Sequence, residues 1–171
     1  MTKSAELCTT CKKPKGSYHC DLCGANTCKA CAHFLGEETF SFMKVVPEEL
    51  KHTTYCSNCF DDKVAAPLAE YEETMEKAKE IIVFFKNQGK LTRFLKRKED
   101  PYKVENCADE EEALMRMSFF AVQSGFNALI DVELTHKRAK VGTYLKGVVD
   151  GSAMGIQIDP DSINSDCFRG V

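Results

Sequence analysis

The sequence has no tryptophan, only four histidines and no long hydrophobic run. A membrane-spanning helix needs roughly 18 consecutive apolar residues, so no such helix is expected. Residues 1–11 lack the apolar centre of a secretory signal peptide, and we therefore expect a cytoplasmic protein. No glycine-rich phosphate loop follows a strand, and no histidine lies in a recognised catalytic context. These absences predict a non-enzymatic protein.

A strong excess of basic charge is absent as well. The chain has 23 Lys and Arg against 26 Asp and Glu, a formal net charge of −3. Eight cysteine thiolates that bind two divalent ions lower this charge by a further four. A chain this acidic is a poor general ligand for nucleic acid, because phosphate backbones attract basic surfaces. Nucleic acid is therefore not expected as a partner.

Cysteine is what the sequence has in excess, with ten in 171 residues. Eight of them form four C-x-x-C pairs in the first sixty residues, whereas Cys107 and Cys167 lie outside. Two such pairs complete a tetrahedral zinc site with no open position, and a closed Zn²⁺ does not activate water. We expect two structural zinc ions per chain. An iron–sulfur protein and a redox dithiol array are the alternatives, which the complete set of eight disfavours.

The central cysteine pairs carry a resemblance to a known family. His19-Cys20-Asp21-Leu22-Cys23-Gly24, then Cys28-Lys29-Ala30-Cys31, resembles the middle of the FYVE zinc finger, and Tyr55-Cys56-Ser57-Asn58-Cys59-Phe60 resembles its closing knuckle. In that family the first and third pairs hold one ion and the second and fourth hold the other. The resemblance, over residues 8–60, implies a cross-brace double zinc finger of the treble-clef type. The implied ligands are Cys8, Cys11, Cys28 and Cys31 at site 1, and Cys20, Cys23, Cys56 and Cys59 at site 2.

FYVE domains bind phosphatidylinositol 3-phosphate through a basic patch, and this sequence departs from that patch. Asp21 stands where the family has an arginine, and Thr54-Tyr55 replaces the basic residue before the last pair. A membrane adaptor that recognises an anionic phosphoinositide headgroup, with Lys12, Lys13 and Lys15 supplying charge, is therefore the alternative function. His19 and His52 are expected to lie outside the metal sites.

Between the third and fourth pairs the module is rich in apolar residues. We expect them to form a small core under a short hairpin, since a metal domain of this size needs that support. An exposed aromatic loop that contacts a partner or inserts into a membrane is the alternative. The residues are Phe34, Leu35, Phe40, Phe42, Val45, Val46 and Leu50.

Residues 63–79 are predicted to form a linker helix, with Pro67 in its first turn. Its apolar residues recur at steps of three and four, which places them on one face. We expect this face to pack on one of the protein's own domains, with self-association as the alternative. The residues are Leu68, Tyr71, Met75, Ala78 and Ile82.

The remaining sequence predicts an α+β domain in which one helix covers an antiparallel sheet. Asp109 and Glu112 form a capping box that begins the helix, and Gly125 suits its end. The basic segment 86–98 is predicted to be solvated, although an acidic partner, a lipid headgroup or RNA is an alternative. The expected strands are 81–85, 102–104, 126–135 and 141–158, with a turn at 136–139.

This domain carries a second resemblance. Ala121-Val122-Gln123-Ser124-Gly125-Phe126-Asn127-Ala128-Leu129-Ile130, with Gly151-Ser152-Ala153-Met154, is similar to the YbjQ family. Members are labelled as heavy-metal-binding domains and tend to form rings, typically pentamers, which implies a homo-oligomer. No spaced ligand cluster accompanies the motif, and Cys107 and Cys167 are expected to be ordinary thiols. A small hydrolase or redox protein using Cys107 is the enzymatic alternative.

The sequence thus predicts four segments: a FYVE-like double zinc finger at 1–62, a linker helix at 63–79, a YbjQ-like domain at 80–160 and a tail at 161–171. The function expected is that of a scaffold, in which an oligomeric C-terminal domain presents several zinc modules to a protein partner. The sequence does not name that partner.

Overall fold

The computed structural model describes residues 7–14, 16–88 and 100–159. The chain divides into two compact units, Met1–Glu72 and Glu73–Val171, and the predicted α+β class is confirmed. Within the described residues no helix has both the length and the apolar character to cross a membrane. The predictions for Lys15, for Lys90 to Lys98 of the basic segment, for Cys167 and for the tail lie outside the described residues.

The N-terminal unit contains two small antiparallel hairpins. Strand β1 (Tyr18–His19) pairs with β2 (Asn26–Thr27), and β3 (Ala32–Phe34) pairs with β4 (Thr54–Cys56). Between β3 and β4 the chain makes turns and a 3₁₀ turn at Glu48–Leu50. Strand β2 ends directly before Cys28, and β4 ends at Cys56, so each hairpin positions a cysteine that begins a C-x-x-C pair.

The small core of this unit is formed by four buried side chains, those of Phe40, Leu50, Tyr55 and Val64. The prediction from the apolar loop is partly right. Leu35 and Val46 pack against this core, whereas Phe34 and Val45 are exposed. Burial of this small core alone does not provide enough free energy to keep the unit folded. Domains of this size usually need disulfides or bound metal as well.

A long helical segment follows β4. It begins with one α-helical turn at Ser57–Cys59, continues through a π-helical turn at Phe60–Val64 and becomes helix α1 at Ala65–Lys79. Helical backbone therefore begins before residue 63, where the prediction starts it. The ring of a helical proline clashes with the carbonyl four residues earlier. For Pro67 that carbonyl belongs to Lys63, which lies in the wider π turn.

The predicted inner face of α1 is confirmed. Leu68 and Tyr71 pack against the small core of the N-terminal unit, Ala78 is buried and Met75 is half-buried. Ile82 lies beyond the helix, in a strand.

The C-terminal unit is a four-stranded sheet with one helix. Its elements are β5 (Ile82–Phe85), a 3₁₀ turn (Lys86–Gln88), β6 (Tyr102–Cys107), α2 (Glu110–Gln123), β7 (Ala128–Val141) and β8 (Tyr144–Ile156). The strand order is β5-β7-β8-β6. Strands β6 and β7 run antiparallel to β8, but β5 runs parallel to β7, so the prediction of an antiparallel sheet is wrong for this pair. Between β5 and β7 the chain passes through β6 and α2. Parallel neighbouring strands need a long connection of this kind, because the chain must return to the end at which the first strand began.

Helix α2 begins and ends as its sequence predicts. The Asp109 carboxylate accepts the backbone N–H of Glu112 at 2.8 Å, and the Glu112 carboxylate accepts the N–H of Ala108 at 2.6 Å. At the other end Gly125 has φ 81°, and the N–H of Phe126 donates to the carbonyl of Ala121 at 2.9 Å. This arrangement is a Schellman motif, which requires the left-handed conformation that glycine adopts easily.

Strands β7 and β8 form one long hairpin, and two details differ from the prediction. The predicted turn at 136–139 is wrong, because these residues continue β7 and the chain reverses at Gly142-Thr143. Gly142 has φ 62°, as the first central residue of a type II′ turn requires. A β-bulge at Asp131, with φ 52°, also interrupts the predicted alternation of buried and exposed side chains.

Two glycines of β8 permit close packing on the sheet. A Cβ atom at Gly151 would lie 2.8 Å from the Met117 side chain of α2. A Cβ atom at Gly155 would lie 2.6 Å from the ring of Phe126 and 2.9 Å from that of Tyr102. Because these two positions of β8 have no side chain, helix α2 packs closely on the sheet at Gly151, and the rings of Phe126 and Tyr102 pack closely on it at Gly155.

Candidate metal centre

The structure brings the eight clustered cysteines together in two groups of four. One group is Cys8, Cys11, Cys28 and Cys31, the other Cys20, Cys23, Cys56 and Cys59, and within each the four Sγ atoms lie within 4.8 Å of one another. The first and third pairs share one group and the second and fourth share the other, which is the grouping that the FYVE resemblance implies.

The sulfur spacing fits a tetrahedral metal. Zn–S bonds of about 2.3 Å in tetrahedral geometry place neighbouring sulfurs about 3.8 Å apart. The Sγ atoms of Cys11 and Cys28 are 3.7 Å apart, and those of Cys23 and Cys56 are 3.8 Å apart. A disulfide needs about 2.05 Å, and all eight cysteines are free thiols. Each group could therefore hold one metal ion.

The first pair of each site is built by the same backbone turn. The N–H of Lys12 donates to the carbonyl of Cys8 at 2.9 Å, and the N–H of Gly24 donates to that of Cys20 at 2.7 Å. Lys12 has φ 59° and Gly24 has φ 72°, so both residues are left-handed directly after the second cysteine. Glycine at position 24 is a visible sequence signal for this turn, whereas lysine at position 12 gives none.

The second pair of each site has a helical turn. The N–H groups of Cys31 and Ala32 both donate to the carbonyl of Cys28 at 2.9 Å, and Cys56 precedes the helical turn Ser57–Cys59. The hydroxyl of Ser57 donates to the carbonyl of Cys31 at 3.0 Å. This hydrogen bond connects the two sites directly.

Backbone N–H donors lower the pKa of one thiol in site 1, which favours the thiolate that binds a cation. The N–H of Cys11, with those of Cys28 and Thr10, lowers the pKa of the Cys8 thiol to about 5 against the opposing effect of burial. The neighbouring Cys28 sulfur, together with burial, raises the pKa of Cys31 to about 12. The first proton of the group is therefore lost easily and the last only with difficulty.

In site 2, as in site 1, one thiol has a lowered pKa and another a raised pKa. Burial opposes ionisation of Cys20, but N–H donors from Cys56, Cys23 and Leu22 outweigh it and lower the pKa of Cys20 to about 7. Burial and the Cys23 sulfur raise the pKa of Cys59 strongly. Four thiolates so close together repel one another. The positive charge of a divalent cation offsets this repulsion, so binding of the ion favours loss of the thiol protons. The donor set fits zinc, which prefers four thiolates in a closed tetrahedron.

Asp21 has a structural role in site 2. Its carboxylate accepts the N–H of Thr54 at 2.8 Å, the N–H of Thr53 at 3.2 Å and the Thr53 hydroxyl at 3.4 Å. These bonds fix the Cys20–Cys23 turn to strand β4, which carries Cys56. The residue that replaces the arginine of the FYVE family therefore holds the site together and adds negative charge to it.

Neither group of sulfurs includes a histidine within the part of the chain that the structure describes. His19 is exposed on β1, and the N–H of His52 donates to the hydroxyl of Tyr55 at 3.2 Å. His33, which the sequence does not single out, stacks on Phe60 with ring centroids 4.0 Å apart.

The structural role of Tyr55 is likewise missed by sequence reasoning. Its side chain is fully buried, and its hydroxyl donates to the carbonyl of Glu49 at 2.8 Å.

Cys107 lies apart from both groups, in β6. It is buried, and burial together with the charge of Glu112 raises its pKa. Val149 pairs with Cys107 on one side and with His136 on the other, so two strand spacings, about 10 Å, separate the backbone of Cys107 from that of His136. His136 instead contacts the Glu110 carboxylate at 2.8 Å. Cys107 and His136 therefore do not lie on neighbouring strands.

The hydroxyl of Thr27 offers a test of packing beside site 1. Thr27 precedes Cys28 and is fully buried, and its Oγ1 has no hydrogen-bond partner among the described residues. We expect Thr27→Val to stabilise the metal-loaded N-terminal unit by about 1 kcal/mol, because it removes a buried unsatisfied group and keeps the shape. Hydrogen exchange of the unit's slowest amides measures the change.

Thr9→Val is the matched control for this prediction. The Thr9 hydroxyl donates to the carbonyl of Asn26 at 3.0 Å, so its loss is expected to destabilise the same unit by about 1 kcal/mol. Equal destabilisation by both variants would show that Thr27 has a partner after all.

No protein-family model, no curated protein and no solved structure matches this chain. The FYVE and YbjQ resemblances are therefore carried by the quoted residues alone.

Proposed function

We propose that this protein is a non-enzymatic zinc-binding scaffold. Its N-terminal module, residues 1–62, holds two structural zinc ions and contacts a protein partner. A linker helix at 63–79 leads to an oligomeric YbjQ-like domain at 80–160, so several copies of the module are presented together. The observation that carries the proposal is the pair of closed four-cysteine groups.

The closed geometry supports a structural rather than a catalytic role for the metal. Four thiolates fill a tetrahedral ion, leaving no position for water or substrate. The one described cysteine outside the groups is Cys107, whose burial and raised pKa disfavour it as a nucleophile.

The form of the C-terminal sheet supports assembly. The sheet is open, and neither of its edge strands, β5 and β6, pairs with a further strand among the described residues. Exposed edges are sites at which sheets extend between subunits. Together with the YbjQ resemblance, this feature favours a homo-oligomer, in which several weak contacts of the zinc modules add up to strong partner binding.

The alternative, a membrane adaptor that recognises phosphoinositide through the zinc module, has less support. Asp21 occupies the position of a phosphate-binding arginine, and its carboxylate is engaged in holding β4. A negative group fixed at this point repels a phosphorylated headgroup.

Native mass spectrometry of the full chain tests both parts of the proposal. We expect two zinc ions per chain and a complex whose mass is a multiple of 19.2 kDa. A double variant, Cys20→Ser with Cys56→Ser, is expected to retain one zinc ion because site 1 keeps all its ligands. A single zinc ion in the unaltered protein would contradict the metal assignment, and a monomer would contradict the scaffold.

A further inference from the structure

The hairpin of β7 and β8 extends well beyond the rest of the sheet. Strand β5 pairs with β7 only as far as Val132, and β6 pairs with β8 only from Val149 onward. Residues 136–141 and 144–149 therefore form a two-stranded ribbon, about 20 Å long, which we name the arm. At its base Val148 and Val149 are buried, and the part from Arg138 to Gly147 projects beyond them. A two-stranded ribbon is only marginally stable by itself in water. The arm adds little to the stability of the unit, which suggests that it has a function of its own.

The tip of the arm is apolar and exposed. Tyr144 is 79 % exposed and Leu145 is 68 % exposed, and the two residues follow the Gly142-Thr143 turn directly. Soluble proteins rarely place two adjacent large apolar side chains at the far end of a projection without a use for them.

The arm is basic, although the whole chain is acidic. No aspartate or glutamate occurs between Thr135 and Val149, whereas Lys137, Arg138, Lys140 and Lys146 all lie there. Lys137 forms an ion pair with Asp150 at the base of the arm. The remaining three cations, Arg138, Lys140 and Lys146, are exposed and have no acidic partner among the described residues.

The distribution of these cations indicates how the arm meets its target. Residues that pair across two strands share one face of the ribbon, so Lys140 lies beside Leu145 on one face and Lys146 beside Ala139 on the other. A ribbon that lies in a nucleic-acid groove presents one basic face. Here cations surround the arm on both faces, directly behind an apolar tip. This order suits an approach end-on to a negatively charged plane.

We propose that the arm docks end-on into an anionic phospholipid surface. Tyr144 and Leu145 enter the boundary between headgroups and acyl chains, while Arg138, Lys140 and Lys146 contact lipid phosphates. Apolar burial and attraction to anionic lipid add together in such interfacial binding. Edge lysines that prevent aggregation account for the charge but not for the exposed apolar tip. The site lies in the C-terminal unit and does not depend on the zinc module.

Vesicle sedimentation with the full zinc-loaded chain tests this proposal. The probes are vesicles of phosphatidylcholine alone and of phosphatidylcholine with phosphatidylserine at about two to one, so that only surface charge differs. We expect binding to the mixed vesicles only, with release by high salt because screening weakens the attraction. Substitution of all three cations (Arg138→Gln, Lys140→Gln and Lys146→Gln) is expected to weaken partitioning about 100-fold.

Two further variants separate the arm from general electrostatics. Tyr144→Thr with Leu145→Thr keeps the charge and the strand propensity and is expected to weaken partitioning about tenfold. The charge-matched control is Lys29→Gln, Lys63→Gln and Lys103→Gln, three exposed lysines outside the arm, and it is expected to bind as the unaltered protein does.

Three outcomes would overturn the proposal. One is the absence of binding to mixed vesicles, and another is equal weakening by the arm variant and its charge-matched control. The third is binding of single- or double-stranded nucleic acid that the triple arm variant abolishes while vesicle binding is unchanged. All arm variants are checked for unchanged zinc content and hydrogen exchange, which their exposed positions predict.

Discussion

Removal of zinc by a strong chelator is expected to unfold the N-terminal unit and to leave the C-terminal sheet folded. A structural zinc ion contributes about 10–16 kcal/mol of folding free energy in small zinc domains, as much as or more than the 5–15 kcal/mol that stabilises a typical domain. Without metal, Met1–Glu72 retains only the small core around Phe40, Leu50, Tyr55 and Val64. Hydrogen exchange with mass spectrometry measures both units in one sample.

The expected pattern is complete loss of protection in β1 to β4, with unchanged protection in β7 and β8. Addition of zinc is expected to restore the original pattern, whereas magnesium, which prefers oxygen ligands, is not. Retention of protection around Tyr55 in the metal-free protein would show that its small core suffices and that the two sites are not structural.

Substitution of Gly155 by valine is expected to destabilise the C-terminal unit by about 3 kcal/mol. Even the first added carbon lies 2.6 Å from the Phe126 ring and 2.9 Å from the Tyr102 ring. A ring cannot bend away as a flexible side chain does, so the sheet or the end of α2 must shift. The opening free energy of the slowest amides in β7 and β8 measures the cost without assuming that the whole chain unfolds in one step.

Gly147→Val is the matched control, because it makes the same change in the same strand. No atom lies within 4 Å of the Cβ position at Gly147, and the residue is exposed. Valine is favoured over glycine in strands, so this variant is expected to be neutral or slightly stabilising. If both variants cost the same, the loss would come from backbone preference rather than from the two rings.

Local signals in the sequence predict those parts of the fold that local physics determines. The capping box of Asp109 and Glu112, the glycine that ends α2 and the inner face of α1 all appear as expected. Each depends on residues a few positions apart, whose spacing along a helix is fixed by its geometry. The cysteine pairs can also be recognised in the sequence, because each C-x-x-C pair forms a turn within a few residues.

Features that depend on distant residues could not be predicted in this way. The parallel pairing of β5 with β7 joins segments separated by more than forty residues, and no local pattern records its direction. The run His136-Lys137-Arg138-Ala139 suggests a turn because it has no apolar alternation. In the structure it is extended, and because none of these four residues is buried, nothing demands an alternation of apolar and polar side chains there. Left-handed Lys12 is similarly invisible, because lysine seldom takes that conformation.

The interleaved grouping of the cysteines has a consequence for the order in which the protein is made. During synthesis the first two pairs, Cys8 with Cys11 and Cys20 with Cys23, leave the ribosome before either of their final partner pairs exists. Two neighbouring C-x-x-C pairs can already enclose one ion, although they belong to different sites in the folded unit. Site 1 becomes complete only with Cys31, and site 2 only with Cys59. Any metal that binds these two pairs early must be released to their final partners before the unit is complete, so the speed of ligand exchange matters as well as the strength of binding.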